Sequence, residues 1–348
     1  MSGCNLTLRN GAPACVAPPY QKITLVLDWL SNGTESCRCS RHVSHSIGTV
    51  VNGRSVAAAT SSKSRRSLWI AAALGLGVTG GLAWAERRRA LRTRSAPTRE
   101  RTVTNLALAG GTAAVAALAM APAVRPLTRW AERERVGVVQ RLRAPAWVRD
   151  ALAVVLLDYT LYWWHVVEHR VPWIYRFHEV HHSDLDLDAS TGLRFHFGEF
   201  LLSIPWRAAQ IVTIGVSPRA LDIWQKLTAL SVLFHHSNIE LPLGVERQLA
   251  RVIMTPRLHG IHHSNLAREQ DSNWSSGLTI WDRLHRTYRG NVRQREIVIG
   301  VPALREPRDV TLAKSVALPF TAKQALQVPY GSVQRRSGDS EPRERLLR

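Results

Sequence analysis

Histidine is concentrated in one part of this 348-residue chain: twelve of the fourteen histidines lie between residues 165 and 285. Residues three and four apart share one face of a helix. Three segments have that spacing, so each predicts imidazoles that point the same way. Neutral imidazole binds iron, zinc, copper or nickel, and the eight nitrogens offered exceed what one ion uses. The pattern predicts two metal ions, held by HVVEH (165–169), HEVHH (178–182) and HGIHH (259–263).

The segment HEVHH supports two interpretations. As H-E-x-x-H it matches a zinc protease, with Glu179 as the general base. As H-x-x-H-H it places His178, His181 and His182 on one helical face, aimed at one point. The spacing recurs 81 residues later in HGIHH, where Gly260 stands in place of the glutamate. The recurring feature is the three histidines, which predicts that Glu179 is solvated or lies behind a ligand.

Composition favours a membrane over nucleic acid as the partner. The formal net charge of +20 indicates contact with polyanions or an anionic lipid surface. Apolar stretches at 68–85, 106–124 and 147–167 each approach the roughly 20 residues that cross a bilayer. No nucleic-acid recognition motif accompanies the arginines. All four cysteines lie within the first 39 residues, so a downstream metal must be bound by nitrogen or oxygen.

These features predict an all-α protein, an integral membrane helical bundle with a helical cap on the cytoplasmic face that carries a histidine-rich di-metal site. Between Glu199 and Phe234 we expect two apolar segments with a turn at Ser217-Pro218, which form either a re-entrant or partly buried helical hairpin or two full membrane spans. Over 125–149 we expect an interfacial amphipathic helix. Arginines that flank the apolar stretches favour a cytoplasmic histidine site. The predicted organisation is a disordered or mis-assigned start (1–63), membrane anchor helices with an interfacial segment (64–146), a catalytic domain (147–320) and a disordered tail (321–348).

The histidine spacing and its flanking residues resemble the fatty acid hydroxylase/sterol desaturase superfamily. The similarity includes WWHVVEHRVPWIYRFHEVHHSD, LFHHSNIELP and TPRLHGIHHS. It implies an integral membrane, di-iron, O2-dependent enzyme that hydroxylates or desaturates a sterol, fatty acyl or other long apolar lipid in lipid biosynthesis. The implied catalytic iron ligands are His165, His169, His178, His181, His182, His259, His262 and His263, with His236 as a ninth and His196 as a ligand or a neighbour of one.

The implied chemistry requires a redox metal. Side chains cannot supply the high-valent species that breaks an unactivated C–H bond, and zinc has no redox chemistry, so two iron ions with O2 as co-substrate are expected. The sequence has no Rossmann, haem or iron-sulfur motif. We therefore expect an external electron donor, a reductase, ferredoxin or cytochrome, to dock on cytoplasmic arginines at a bacterial inner membrane.

Two points stay open at this stage. A different class of protein, a non-redox membrane zinc hydrolase or a metal-binding protein that uses HEVHH, is the alternative. Six polar residues near the boxes are expected either to orient imidazole N–H groups or to act as loop and cap residues. They are Asp184, Asp188, Asn238, Asn265, Asp271 and Asp282.

Overall fold

The structure, a computed structural model, describes residues 8–9, 12–13, 75 and 77–321. Contacts divide the chain into two units, 1–63 and 64–348. In the first unit the strands Leu8–Arg9 and Ala12–Pro13 form an antiparallel pair. Disorder was predicted for residues 1–63 and 321–348. Apart from these four strand residues and Thr321, both segments lie outside the described residues.

The second unit is helical, which confirms the all-α prediction for its described part. A helical segment over 77–88 comes first. Single turns of 3-10 helix occur at Val139–Arg141, Thr191–Leu193, Gln294–Glu296, Pro307–Asp309 and Leu318–Phe320. The ten helices that follow residue 97 are α1 (Thr98–Arg133), α2 (Ala146–Arg170), α3 (Pro172–His182), α4 (Phe197–Gln210), α5 (Pro218–His236), α6 (Leu243–Leu249), α7 (Pro256–His262), α8 (Ala267–Gln270), α9 (Ile280–Leu284) and α10 (Leu312–Ala317).

Helix α1 covers the second predicted span. It has 36 residues, with one π-helical turn at Ala116–Met120, and only 17% of its apolar window is buried inside the protein. Among the described residues it is the one helix long and apolar enough to cross a membrane. The third predicted span lies within α2, which carries Asp150, Asp158 and Glu168 and does not meet that criterion.

The amphipathic helix expected over 125–149 is wrong. Helix α1 continues to Arg133, and the backbone then takes positive φ angles at Arg135 (53°) and Gly137 (91°). A Cβ at Gly137 would lie 2.2 Å from the backbone nitrogen of Gly215. The chain ends its helix here because it passes directly against the turn at Gly215, which only glycine permits.

Helices α4 and α5 form the predicted hairpin. Helix α4 ends in a π-helical turn, Ile211–Gly215, and α5 starts with Pro218 at its first position. The Ser217 hydroxyl caps α5 by accepting the Ala220 N–H at 3.0 Å. An apolar core joins this hairpin to α1 and α2; it includes Val124, Leu157, Ile211, Ala220 and Trp224. The hairpin returns the chain so that the C-terminal end of α5 lies beside α3 and α7.

Candidate metal centre

Nine of the ten predicted ligands converge in two groups of histidines. Within each group the candidate ligand nitrogens lie within 4.8 Å of one another. All nine side chains are at most 6% exposed. Group one contains His165, His169, His178, His182 and His262, and group two contains His181, His236, His259 and His263.

Each H-x-x-H-H box supplies ligands to both groups, so the prediction that its three imidazoles aim at one point is wrong. In HEVHH, the pair His178 and His182 enters group one while His181 enters group two. HGIHH reverses this division, because His259 and His263 enter group two and His262 enters group one. Consecutive helical residues point about 100° apart, which separates the adjacent histidines of each box. The interleaved boxes thereby place two sites side by side.

In group two, the Nε2 atoms of His181 and His236 point their lone pairs toward each other. Nδ1 of His181 donates to the Arg194 carbonyl at 3.1 Å, and Nδ1 of His236 donates to the Val232 carbonyl at 2.8 Å. With the proton on Nδ1, both Nε2 atoms are acceptors, and they lie only 3.0 Å apart. Two opposed lone pairs at that distance fit a shared cation and not a hydrogen bond.

Group one has the same arrangement. Nδ1 of His165 donates to the Trp274 carbonyl at 2.7 Å, and Nδ1 of His262 donates to the Ser272 carbonyl at 3.0 Å. Nδ1 of His178 lies 3.3 Å from Oε1 of Glu199. Among the described residues, the buried Nε2 atoms of His178, His182 and His262 have no hydrogen-bond partner. Buried polar atoms are rarely left unpaired, so this donor set fits a metal ion.

Burial also favours the protonation state that binds metal. Loss of hydration, reinforced by neighbouring imidazoles, holds the pKa of His181, His182, His259 and His263 well below the usual value. The same burial lowers the pKa of His262 to about 3. These rings are therefore neutral near pH 7, as metal ligation requires.

The groups that orient the imidazoles are mainly backbone carbonyls and Glu199, which the sequence analysis did not select. Among the described residues, the hydrogen bonds of the six polar candidates go elsewhere. Asp184 and Asp188 bind Arg101, Asp271 pairs with Arg170, and Asn238 binds the backbone of Arg92. The backbone N–H of Asn265 donates to Val298. Asp282 acts indirectly, since it accepts the N–H groups of Trp274 and Ser275 beside His165.

Glu179 is buried, and the expectation that it is solvated is wrong. Its side chain is 2% exposed, and burial raises its pKa to about 7. It belongs to neither histidine group. Helix α7 cannot carry a glutamate at the corresponding position, Gly260, because a Cβ there would lie 2.2 Å from Nη1 of Arg92. The difference between the two boxes therefore has a packing cause.

Three other histidines among the described residues lie outside the two groups. His196 caps α4, where its Nδ1 accepts the Gly198 N–H at 2.9 Å and its Nε2 lies 3.2 Å from the Val316 carbonyl. His235 is buried with its ring centroid 4.1 Å from that of His259. His285 lies 3.3 Å from the hydroxyl of Tyr159. Of these, only His196 was among the predicted ligands.

Both histidine groups border a cavity of about 440 Å³. One end reaches five of the candidate ligands, His165, His178, His181, His236 and His259. The rest of the wall is mostly apolar and comes from α1, α4 and α5, including Ala109, Ala113, Ala116, Met120, Phe200 and Val232. A cavity of this size and lining suits an apolar ligand.

Comparison with known proteins identifies the part of the chain that carries these histidines. Residues 151–287 match the family model described as fatty acid hydroxylase. The chain is 32% identical over 151 residues to ornithine lipid hydroxylase OlsE of Rhizobium tropici, covering 43% of this chain and 44% of that protein. It is 26% identical over 145 residues to the alkylglycerol monooxygenase of Homo sapiens, covering 42% of this chain and 31% of that protein. It is 28% identical over 140 residues to the cholesterol 25-hydroxylase-like protein of Danio rerio, covering 39% of this chain and 54% of that protein.

The match spans about half or less of the length of each of these relatives. No significant match was found among solved structures. The matched segment contains all nine converging histidines, and the three relatives are named as lipid hydroxylases or monooxygenases, or as similar to one. The segment 151–287 therefore matches the fatty acid hydroxylase family model, in agreement with the superfamily resemblance found from the histidine spacing.

Proposed function

We propose that this protein is an O2-dependent, di-iron membrane enzyme that hydroxylates a long apolar lipid. The observation that carries the proposal is the pair of neutral, buried histidine groups beside an apolar cavity. Group one would hold one iron ion and group two the other. His196 is left out of the ligand set because its two ring nitrogens are already used in hydrogen bonds.

Two bound irons would supply the redox chemistry that activates O2 and attacks a C–H bond. The protein's own part is to fix the ligands and exclude water. The carbonyls of Trp274, Arg194 and Ser272 each fix a proton on Nδ1, so that Nε2 is free to ligate. Trp274, 1% exposed, packs against the rings of His165, His169 and His262 and shields group one from solvent.

Hydroxylation is favoured over desaturation. The relatives compared above are named for the hydroxylation or monooxygenation of lipids, or for their similarity to such an enzyme, although their named lipids differ widely. What the named lipids share is extended hydrocarbon, which suits the apolar cavity wall here. The substrate class is accordingly a sterol, fatty acyl or other long apolar lipid.

Location and electron supply follow from charge and hydropathy. Helix α1 is apolar enough to cross a bilayer, and arginines follow the preceding helical segment. We place the histidine groups on the cytoplasmic side of a bacterial inner membrane. There an acidic reductase, ferredoxin or cytochrome would dock on the arginines. Activity that did not change with ionic strength would argue against this mode of docking.

The test is growth of a deletion strain, and of the same strain complemented with the gene, under ¹⁸O2, followed by lipid mass spectrometry. We expect one lipid in the complemented strain to gain a single ¹⁸O atom and its precursor to accumulate in the deletion strain. A product without ¹⁸O would contradict the proposal and favour the alternative, a non-redox zinc hydrolase or metal-binding protein. Loss of hydrogen without gain of oxygen would show a desaturase instead.

A further inference from the structure

Arg207 is a buried cation in the wall of the cavity. Its side chain is 8% exposed and lines the apolar space between α4 and α5. Nη1 donates to Oε1 of Gln210 at 2.5 Å, and Cζ lies 4.3 Å from the ring centroid of Trp224. Among the described residues no carboxylate forms an ion pair with this guanidinium. Glu168 interacts with the charge of Arg207 only from beyond ion-pair distance.

An arrangement of this kind is costly without a ligand. A guanidinium stays charged in proteins and has five N–H donors; among the described residues, the side chain of Gln210 is the one acceptor for it. Transfer of a charge out of water is expensive unless the charge is paired. Ionisable residues deep in a membrane bundle commonly mark a binding site or pathway. Because Arg207 lines the cavity, a further acceptor for its donors would lie there.

Acidic and basic side chains line different parts of the cavity. Glu168 and Glu199 lie next to the histidine groups. Arg207 lies eight residues beyond Glu199 in α4, which is about 12 Å along the helix. Trp224, against which Arg207 packs, precedes His236 by twelve residues, or about 18 Å. Arg207 therefore lies on a different part of the cavity wall from the histidines, and Glu168, which lies beside His178, acts on the charge of its guanidinium.

We propose that Arg207 binds the oxyanion of an acidic lipid, a carboxylate or a phosphate, and that the hydrocarbon chain of this lipid extends along the cavity to the histidine groups. The inference rests on the proposed function and specifies its substrate class.

Binding to the metal-free, full-length chain in phosphatidylcholine nanodiscs tests this. The probes are hexadecanoic acid, hexadecyl phosphate and hexadecan-1-ol, each displacing a fluorescent fatty acid at neutral pH. We expect the wild-type chain to bind one of the two anions at least about tenfold more tightly than the alcohol. The anion that binds more tightly identifies the source of the oxyanion. Arg207→Met should abolish the preference and leave alcohol binding unchanged, and Arg207→Lys should keep part of it.

Arg219→Met is the matched control, because Arg219 is in the same hairpin with its side chain 72% exposed, and this variant should keep the full preference. Equal binding of anions and alcohol by the wild-type chain would overturn the proposal, even if Arg207→Met failed to fold. An anion preference that survived in Arg207→Met would overturn it as well. Since no metal or turnover is involved, Arg207-dependent binding without ¹⁸O incorporation would contradict the proposed function alone.

Discussion

The direction of each histidine ring decides which ion it can bind. Adjacent residues such as His181 and His182 belong to different groups, and their rings are turned 89° from each other. His182 and His263 come from different boxes and different groups, yet their rings stack with centroids 4.3 Å apart. Loss of one ring therefore removes a ligand from one site and packing support from the other.

Glu179 and His182 should respond very differently to substitution. Glu179→Gln keeps the shape of a side chain that lies outside both groups, so we expect full metal content and a loss of activity below about tenfold. His182→Ala removes a ligand from group one, and we expect metal loss with activity reduced by more than about a hundredfold. Iron content and turnover of both purified variants give the comparison. Equal losses would return Glu179 to a catalytic role.

Gly260→Ala should destabilise the fold without removing a ligand. The new Cβ would meet Nη1 of Arg92, which is held by Oε1 of Gln294 at 2.5 Å and by the Pro256 carbonyl at 3.2 Å. Because Arg92 is buried and cannot move away freely, we expect a loss of about 1 to 3 kcal/mol in the free energy of unfolding. Chemical denaturation measures it.

Gly244→Ala is the control for this substitution, since nothing lies within 4 Å of a Cβ at Gly244. The account of Gly260 fails if both alanine variants unfold at the same denaturant concentration as the wild-type chain.

The identity of the converging residues was predictable from sequence, but their partition was not. H-x-x-H-H spacing selects one helical face, and nine of the ten predicted residues converge. Spacing within one box separates its adjacent histidines, but which ion each ring would serve depends on how α3 and α7 pack against each other. The Nδ1 partners were missed for a related reason. Every residue has a carbonyl, so no residue type indicates that those of Trp274 and Arg194 accept imidazole protons.

At the scale of secondary structure, a buried ion pair connects α1, the candidate membrane span, to the histidine boxes. Arg101 in the first turn of α1 binds Asp184 through Nε at 2.6 Å and Asp188 through Nη1 at 2.9 Å. Asp184 and Asp188 lie in the loop directly after HEVHH. The arginine therefore fixes the position of α1, which lines the cavity, relative to α3, which carries three ligands.

Arg101→Met should destabilise the protein strongly. The substitution leaves two buried carboxylates without their cation, and breaking a buried pair in this way costs about 3 to 5 kcal/mol. Thermal unfolding followed by circular dichroism should show a markedly lower Tm. Arg99→Met alters an exposed residue of the same helix turn and should leave the Tm unchanged. Similar Tm values for the two variants would contradict this role of Arg101.

Helix boundaries were predicted well where local chemistry sets them. Ser217-Pro218 marks the hairpin turn because a serine cap and a proline at the first helical position both act locally. The end of α1 depends instead on a distant contact. Residues 125–149 have the composition of one amphipathic helix, but Gly137 must pass against Gly215, about 80 residues away, and the helix stops before it.

At the scale of the whole molecule, α1 has an exposed apolar face and also lines the cavity beside the histidine groups. Helix α1 presents exposed apolar side chains outward, including Val103 at 61% and Leu118 at 81% exposure, and lines the cavity with Ala109, Ala113 and Ala116. A lipid chain that enters beside α1 would lie against apolar side chains along its path to the histidine groups.

The central claim is that the nine converging histidines hold two redox-active metal ions. Its most direct test is the metal content of the purified full-length chain, measured by inductively coupled plasma mass spectrometry. The same measurement on His263→Ala tests group two, which has only four candidate ligands. We predict about two irons per wild-type chain, little zinc, and a clear loss of iron in the variant. A single ion per chain, or zinc in place of iron, would contradict the account.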